Sequence, residues 1–346
     1  MIDFTSVLLE QIAIHKVGNK LRDEGLNISS QNVDVEDSET INYLLKYFLS
    51  PFDNNEVYNF THPSELNLNE IYFFAKKIFS KPDSLFENSV EIAKHLYEKS
   101  THPKTNAGEL CICYFKKGSL DGTTADAIGF FKSEGKDVFL KFDSVKTNFK
   151  VKYESGINVN KLDKGCLIFN IEKANGFKVC VIDSNKSNDT QYWKNDFLNI
   201  KPASDDYHFT KDFLSITKNF VTKQLDEEFE VTKADKIDLL NRSVEYFKTH
   251  ETFDKKEFEE EVFQDSGIIK SFRNFDNTYR QENEIEITDS FDISPQAVKK
   301  QARVFKSVLK LDKNFHIYIH GNRDMIEQGV DKDGRKYYKI YYDQES

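Results

Sequence analysis

Apolar positions in the first half of the chain change spacing several times, and each change predicts an element. VLLEQIAIHKV (7–17) suits a strand. From Ser38 the interval becomes helical: Ile41, Leu44, Leu45, Phe48 and Leu49 recur until Pro51 stops the run. Leu68, Ile71, Tyr72, Ala75 and Ile78 predict a second helix, ended before Pro82. Phe86, Val90, Ala93 and Leu96–Tyr97 predict a third, ended near Pro103. Then come short β-rich runs: GELCICYF (108–115), DAIGFF (126–131), DVFLKF (137–142), NFKVKY (148–153), GCLIFN (165–170) and FKVCVI (177–182). Gly, Asn, Asp and Lys separate them, which predicts an antiparallel meander with hairpin turns at Gly135-Lys136 and Asn175-Gly176.

The stretch 186–206, KSNDTQYWKNDFLNIKPASDD, is polar and irregular and contains the only Trp, Trp193. Beyond it, helical spacing covers about 207–224, 231–249, 254–264 and 265–280. QENEIEITDSFD (281–292) is acidic without Lys or Arg and suits a solvated turn or strand. Ser294-Pro295 supplies an N-cap and first-turn residue for a short helix. Two alternating runs, NFHIYIHGN and RKYYKIYYD, are joined through GVDKDGR, with Asp333-Gly334 as the turn signal of a terminal hairpin. The expected fold class is therefore α+β. An N-terminal domain (1–185) packs helices on a largely antiparallel sheet. A linker (186–206) leads to a mainly helical C-terminal domain (207–346) that ends in a β-hairpin.

Composition adds limits. A length of 346 residues allows two domains, and 30 Phe with 16 Tyr supply a large core. Charged residues are 31% and mixed in sign, as in a soluble globular protein. MIDFTSVLLEQ carries an acid where a signal peptide carries a base, and no apolar run approaches the ~18 residues of a membrane span, so a cytoplasmic protein is expected. Cys111, Cys113, Cys166 and Cys180 form no C-x-x-C pair and are expected to be reduced and buried. The net charge of -10 argues against a surface that coats nucleic acid everywhere. A local basic patch stays open, because screening confines each charge to about 10 Å.

Three stretches could form such a patch. Lys299, Lys300, Arg303, Lys306, Lys310, Lys313 and Arg323 lie in a span whose only acid up to that arginine is Asp312. On a helix, 299, 303, 306 and 310 would line one face and could track a phosphate backbone. A solvated face paired with acids elsewhere, such as the 282–292 run, explains the same row. SVLKL (307–311) also suits a strand, which would take Lys310 off it. The second stretch is IHKVGNKLR (14–22), echoed by IHGNR (319–323): an apolar approach, then His, Gly, Asn and a cation. His15, Lys16, Asn19, Lys20 and Arg22 could offer donors to a phosphate, or form an ordinary turn at a strand end. The third is Lys141, Lys146, Lys150, Lys152, Lys161 and Lys164, interleaved with Phe142, Phe149 and Tyr153. Base stacking is one reading; the favoured one has core-facing aromatics alternating with outward lysines. No G-x-S-x-G, Walker loop, G-x-G-x-x-G or metal spacing of His occurs, so no catalytic residue, metal or cofactor is expected. Asp126 with Glu134-Gly-Lys136 is a faint echo of a Mg²⁺-dependent nuclease site.

Taken together, HKVGNKLRDEG (15–25), LLKYFLSPF (44–52), SVEIAKHLYEKSTHPKTNAGELCICYF (89–115), DAIGFFKSEGKDVFLKF (126–142), YWKNDFLNI (192–200) and the terminal FHIYIHGN…GRKYYKIYY resemble the bacterial 37-kilodalton nucleoid-associated protein family (YejK/NdpA-like). The resemblance spans essentially the full chain. It implies a cytoplasmic, nucleoid-associated protein that binds double-stranded DNA, and it carries no catalytic residues over. The leading expectation is non-enzymatic DNA binding through phosphate contacts from Lys299, Lys300, Arg303, Lys306 and Lys310, aided by Arg323 and the loop around Lys20. Chromosome-associated proteins docking on the acidic helical half (225–265) and a second copy of the chain are further candidate partners. The nuclease reading through Asp126 and Glu134 is the third alternative.

Overall fold

The computed structural model describes residues 2–52, 56–145, 148–184, 192–303, 305, 308–312, 314–319 and 325–344. The chain divides into two compact units, Met1–Ala203 and Ser204–Ser346. Nine strands of the first unit make one sheet. They are β1 (Ile2–Asp3), β2 (Leu8–Val17), β3 (Leu26–Asn27), β4 (Val57–Phe60), β5 (Gly108–Leu120) and β6 (Thr123–Ser133). After a separate hairpin, β7 (Asp137–Val145) and β8 (Asn148–Gly156), come β9 (Lys164–Phe169), β10 (Lys178–Asp183) and β11 (Ile200–Pro202). The order is β11-β4-β10-β9-β6-β5-β2-β3, antiparallel throughout, with β1 on the end of β5.

Both faces of this sheet are covered, which is why ELCICYF is apolar without alternation. Leu110, Ile112, Tyr114, Ile128 and Phe130 point to one side, against α2 (Glu70–Ser80) and α3 (Leu85–Lys99). Cys111, Cys113, Phe115, Phe131 and Leu167 point to the other, against Tyr47, Phe48 and Leu49 of α1 (Ser38–Leu49). Asp37 and Asn69 cap α1 and α2 by accepting from Thr40 N and Tyr72 N at 2.7 and 2.9 Å. All four cysteines are free and buried in these layers.

The expected meander is interrupted. β6 pairs with β9, and β7 pairs with β8 alone among the described residues, so Gly135-Lys136 is not a hairpin turn. Asn175-Gly176 does lie between paired strands; Gly176 has φ 95°, and a Cβ there would run into the Phe60 carbonyl oxygen. Part of the stretch expected as a linker belongs to the first unit. Trp193 is buried in its core at the start of a wide π turn (Trp193–Leu198), and β11 extends the sheet.

The second unit is mainly helical. α4 (Asp206–Asn219) runs through a π turn into α5 (Leu225–Glu228). α6 (Lys233–Thr249), α7 (Lys255–Phe258), α8 (Ser266–Glu282) and α9 (Pro295–Ala302) follow, with a small pair of strands, β12 (Thr252–Asp254) and β13 (Ser290–Asp292). Its core is phenylalanine: Phe213 meets Phe253 at 4.3 Å between ring centroids, and Phe253 stacks on Phe291 at 4.6 Å. A Thr232–Asp235 capping box starts α6, and Ser294 caps α9 with Pro295 in the first turn, as expected from the sequence. The terminal pairing differs from expectation. β14 (Val308–Leu311) pairs with β15 (Phe315–Tyr318), and β16 (Ile326–Val330) with β17 (Lys336–Ile340). NFHIY therefore pairs with VLKL instead of with RKYYKIYY, and Asp333-Gly334 turns β16 into β17. Leu309, Ile319 and Ile326 bury these hairpins against Ile237 of α6.

Candidate nucleic-acid interface

The loop after β2 holds an anion, but the anion is its own. Glu24 accepts from the Asn19 backbone N–H at 2.9 Å and from Arg22 Nε at 2.8 Å. The Arg22 hydrogen bond, then the Asn19 amide, hold its carboxyl below the usual range. Asn19 is buried, and its Nδ2 donates to the His102 and Thr105 carbonyls, both at 2.8 Å. Arg22 Nη1 and Nη2 donate to Pro103 O and Thr105 O, each at 2.7 Å. Lys20 pairs with Glu98. His15 is buried on β2; its Nδ1 accepts from Ser29 N at 3.2 Å, so the other nitrogen carries the hydrogen toward Ser89 Oγ at 2.9 Å. Burial lowers its pKa, which keeps it neutral. Asn19 and Arg22 thus clamp the loop after α3 and Lys20 pairs with α3 itself, while Lys16, Lys20 and Arg22 are exposed.

The cations near the C-terminus are arranged differently from a single helical row. α9 ends at Ala302, and Lys310 sits on β14 opposite His316. Helical spacing joins Lys299 to Arg303 at most, and Lys310 leaves the row. Lys306 and Arg323 lie outside the described residues. Lys299, Lys300, Arg303 and Lys310 are all exposed. Lys300 Nζ lies 5.4 Å from the Tyr207 ring centroid. Among the described residues, Lys299, Arg303 and Lys310 are in no ion pair, and the acidic 282–292 run does not neutralise them.

The other two candidates resolve into structure. Asp126 lies inside β6, accepting from Tyr114 OH at 2.7 Å, and Glu134 follows the far end of the same strand. Eight residues of strand separate their backbones by about 26 Å, so the two carboxylates do not share a metal. Glu134 instead pairs with buried Lys132 at 3.0 Å. In the third basic stretch, Lys164 is fully buried on Asp183 at 2.8 Å. Phe142, Phe149 and Tyr153 are exposed on the β7–β8 hairpin, which corrects the core-facing expectation: among the described residues no layer covers that hairpin. The buried Lys132–Lys164 pair, directly opposite on β6 and β9, was not anticipated. The available signal was a lysine at the edge of each of two apolar runs.

The molecule is thus an α+β protein in two units, acidic overall, with Lys299, Lys300, Arg303 and Lys310 exposed in the second. Over residues 13–345 the sequence matches the family described as nucleoid-associated protein YejK, and the chain belongs to that family. No curated protein matches it significantly. Among the described residues, no helix is long and apolar enough to cross a membrane.

Proposed function

We propose that this protein binds double-stranded DNA without catalysis, chiefly through phosphate contacts and with little sequence specificity. Family membership supports association with the nucleoid. The observation that carries the DNA reading is the exposure of Lys299, Arg303 and Lys310 without an ion-pair partner among the described residues. Such cations have no pair to break before they meet a phosphate, and each contact releases condensed counterions. Residues 295–344 contain eleven Lys and Arg against six Asp and Glu, in a chain whose net charge is -10. Screening over about 10 Å lets that local excess act despite the total. Phosphate contacts position a protein without reading bases, hence the weak specificity. Lys300, Lys306 and Arg323 complete the proposed set; His15, Asn19, Lys20 and Arg22 are left out because internal acceptors engage them.

A duplex titration at several salt concentrations tests this. With four or five phosphates neutralised, log K should fall against log salt with a slope of about -4. Lys299→Glu, Arg303→Glu and Lys310→Glu together should make that slope shallower by about 3. A slope near zero, or unchanged affinity in the triple variant, overturns the proposal.

A further inference from the structure

Both faces of the β7–β8 hairpin are exposed, and one of them is apolar. Its register sets Phe142 opposite Val151, Leu140 opposite Tyr153, Val138 opposite Ser155 and Ser144 opposite Phe149. Opposed residues share a face, so Val138, Leu140, Phe142, Phe149, Val151 and Tyr153 form one continuous apolar surface. Their exposure runs from 60% at Val151 to 75% at Tyr153. Among the described residues, no charge lies on that face. The opposite face holds the ions, two pairs of which are satisfied within the hairpin: Lys141–Glu154 at 3.3 Å and Lys152–Asp143 at 2.7 Å. A lone two-stranded hairpin is marginal in water. The six side chains expose on the order of 700 Å², more than a typical monomer leaves in one patch.

We propose that a second copy of the chain packs on this face, hairpin against hairpin, as a four-stranded two-layer unit. Covering about 700 Å² on each copy buries about 1,400 Å² in all, within the range of stable specific interfaces. Charge selects the same occupant. Copies with a net charge of -10 repel each other, and a face without ions is where two of them can meet at least cost. Phe142, Phe149 and Tyr153 supply the aromatic anchors that dominate such interfaces. DNA fits the face less well, because a duplex presents phosphates and polar groove edges, and the described residues of this face offer hydroxyls but no cation.

Sedimentation velocity of the full chain over about 0.5–50 μM should show a monomer–dimer equilibrium. Leu140→Lys with Phe149→Lys places two ammonium groups on the face at exposed positions. Dimerisation should weaken by about a hundredfold or more, with the melting transition retained. Val151→Cys, in the middle of the face, should cross-link to its own copy under mild oxidation, and Lys152→Cys on the opposite face should not. The four native cysteines are buried and do not compete. A monomer at every concentration overturns the proposal, as does a dimer that survives the double substitution or cross-links through Lys152→Cys alone. Loss of DNA affinity in the double variant with the dimer intact reassigns the face to nucleic acid.

Discussion

Replacing Glu134 by Gln should damage the fold of the first unit, for a reason visible around Lys132. That ammonium is fully buried and donates to Asn106 O at 2.8 Å and Glu134 Oε1 at 3.0 Å, with Tyr192 OH at 3.5 Å. Across the strand pair lies Lys164, equally buried, and both cations approach the Tyr192 ring, at 6.0 and 5.2 Å. Burial pushes the Lys132 pKa down, and Glu134 opposes that shift. Both side chains are sequestered, so solvent screens the pair little. Removing one charge of a buried pair costs about 3–5 kcal/mol. The remaining acceptors put Glu134→Gln at the lower end, about 3 kcal/mol, a fall in Tm of about 6–12 °C for a unit this size. The pH dependence has a definite sign. The folded pKa of Lys132 lies below the unfolded value, so between the two the unfolded chain binds more protons and stability rises with pH. In Glu134→Gln the pKa falls further and that window opens toward neutral, so the deficit relative to wild type should shrink as pH rises. Urea unfolding from pH 6 to 10 measures both effects. A loss under about 1 kcal/mol, or a deficit that ignores pH, would refute the reasoning. Lys132→Met with Glu134→Leu, which removes both charges, should recover much of the loss.

Asn19→Ala should cost about 1–3 kcal/mol by removing the two buried hydrogen bonds that Nδ2 donates to the His102 and Thr105 carbonyls, measured by urea unfolding, with DNA affinity unchanged; weakened DNA binding at full stability would restore the loop as a contact site. His15 has a pKa below 6.5 in the folded chain, so its contribution is complete above that pH and is lost as pH falls, because the unfolded chain then binds the extra proton. His15→Gln should flatten the stability profile just below pH 6.5, and an unchanged slope there would count against a neutral buried imidazole.

Elements were legible where local pattern and tertiary cover agree. The helical spacing of Ile41 to Leu49, the Ser294-Pro295 start and the apolar run at 108–115 all became the elements they suggest. The β7–β8 hairpin shows where pattern stops. DVFLKF and NFKVKY alternate as half-buried strands do, but alternation states only that one face is apolar, and cannot say whether a sheet covers it. The loop at 15–25 hid its role because the carbonyls its donors serve lie about eighty residues away in sequence; Glu24, five residues after Asn19, was the local hint. The cation row failed as a helix because its period continues past Ala302 only on paper: VLKL alternates, and Leu309 buries as a strand residue.

Two surface properties are carried by separate parts of the chain: exposed cations in the second unit and an exposed apolar face in the first. If both proposals hold, a dimer brings two cation sets to one DNA molecule, and the second engagement becomes intramolecular. Such linkage raises apparent affinity by about 10²–10⁴ without any new contact. The gain requires DNA long enough to reach both sets, so it should vanish on a short duplex. Leu140→Lys with Phe149→Lys should therefore weaken binding to long DNA by about that factor and leave a short duplex bound as before. The added lysines work against this outcome, since extra cations alone would tighten binding to every length, so a selective loss on long DNA can arise only from the broken dimer. Equal affinities for both lengths in the wild-type protein would mean that each copy acts alone on DNA, whatever its oligomeric state.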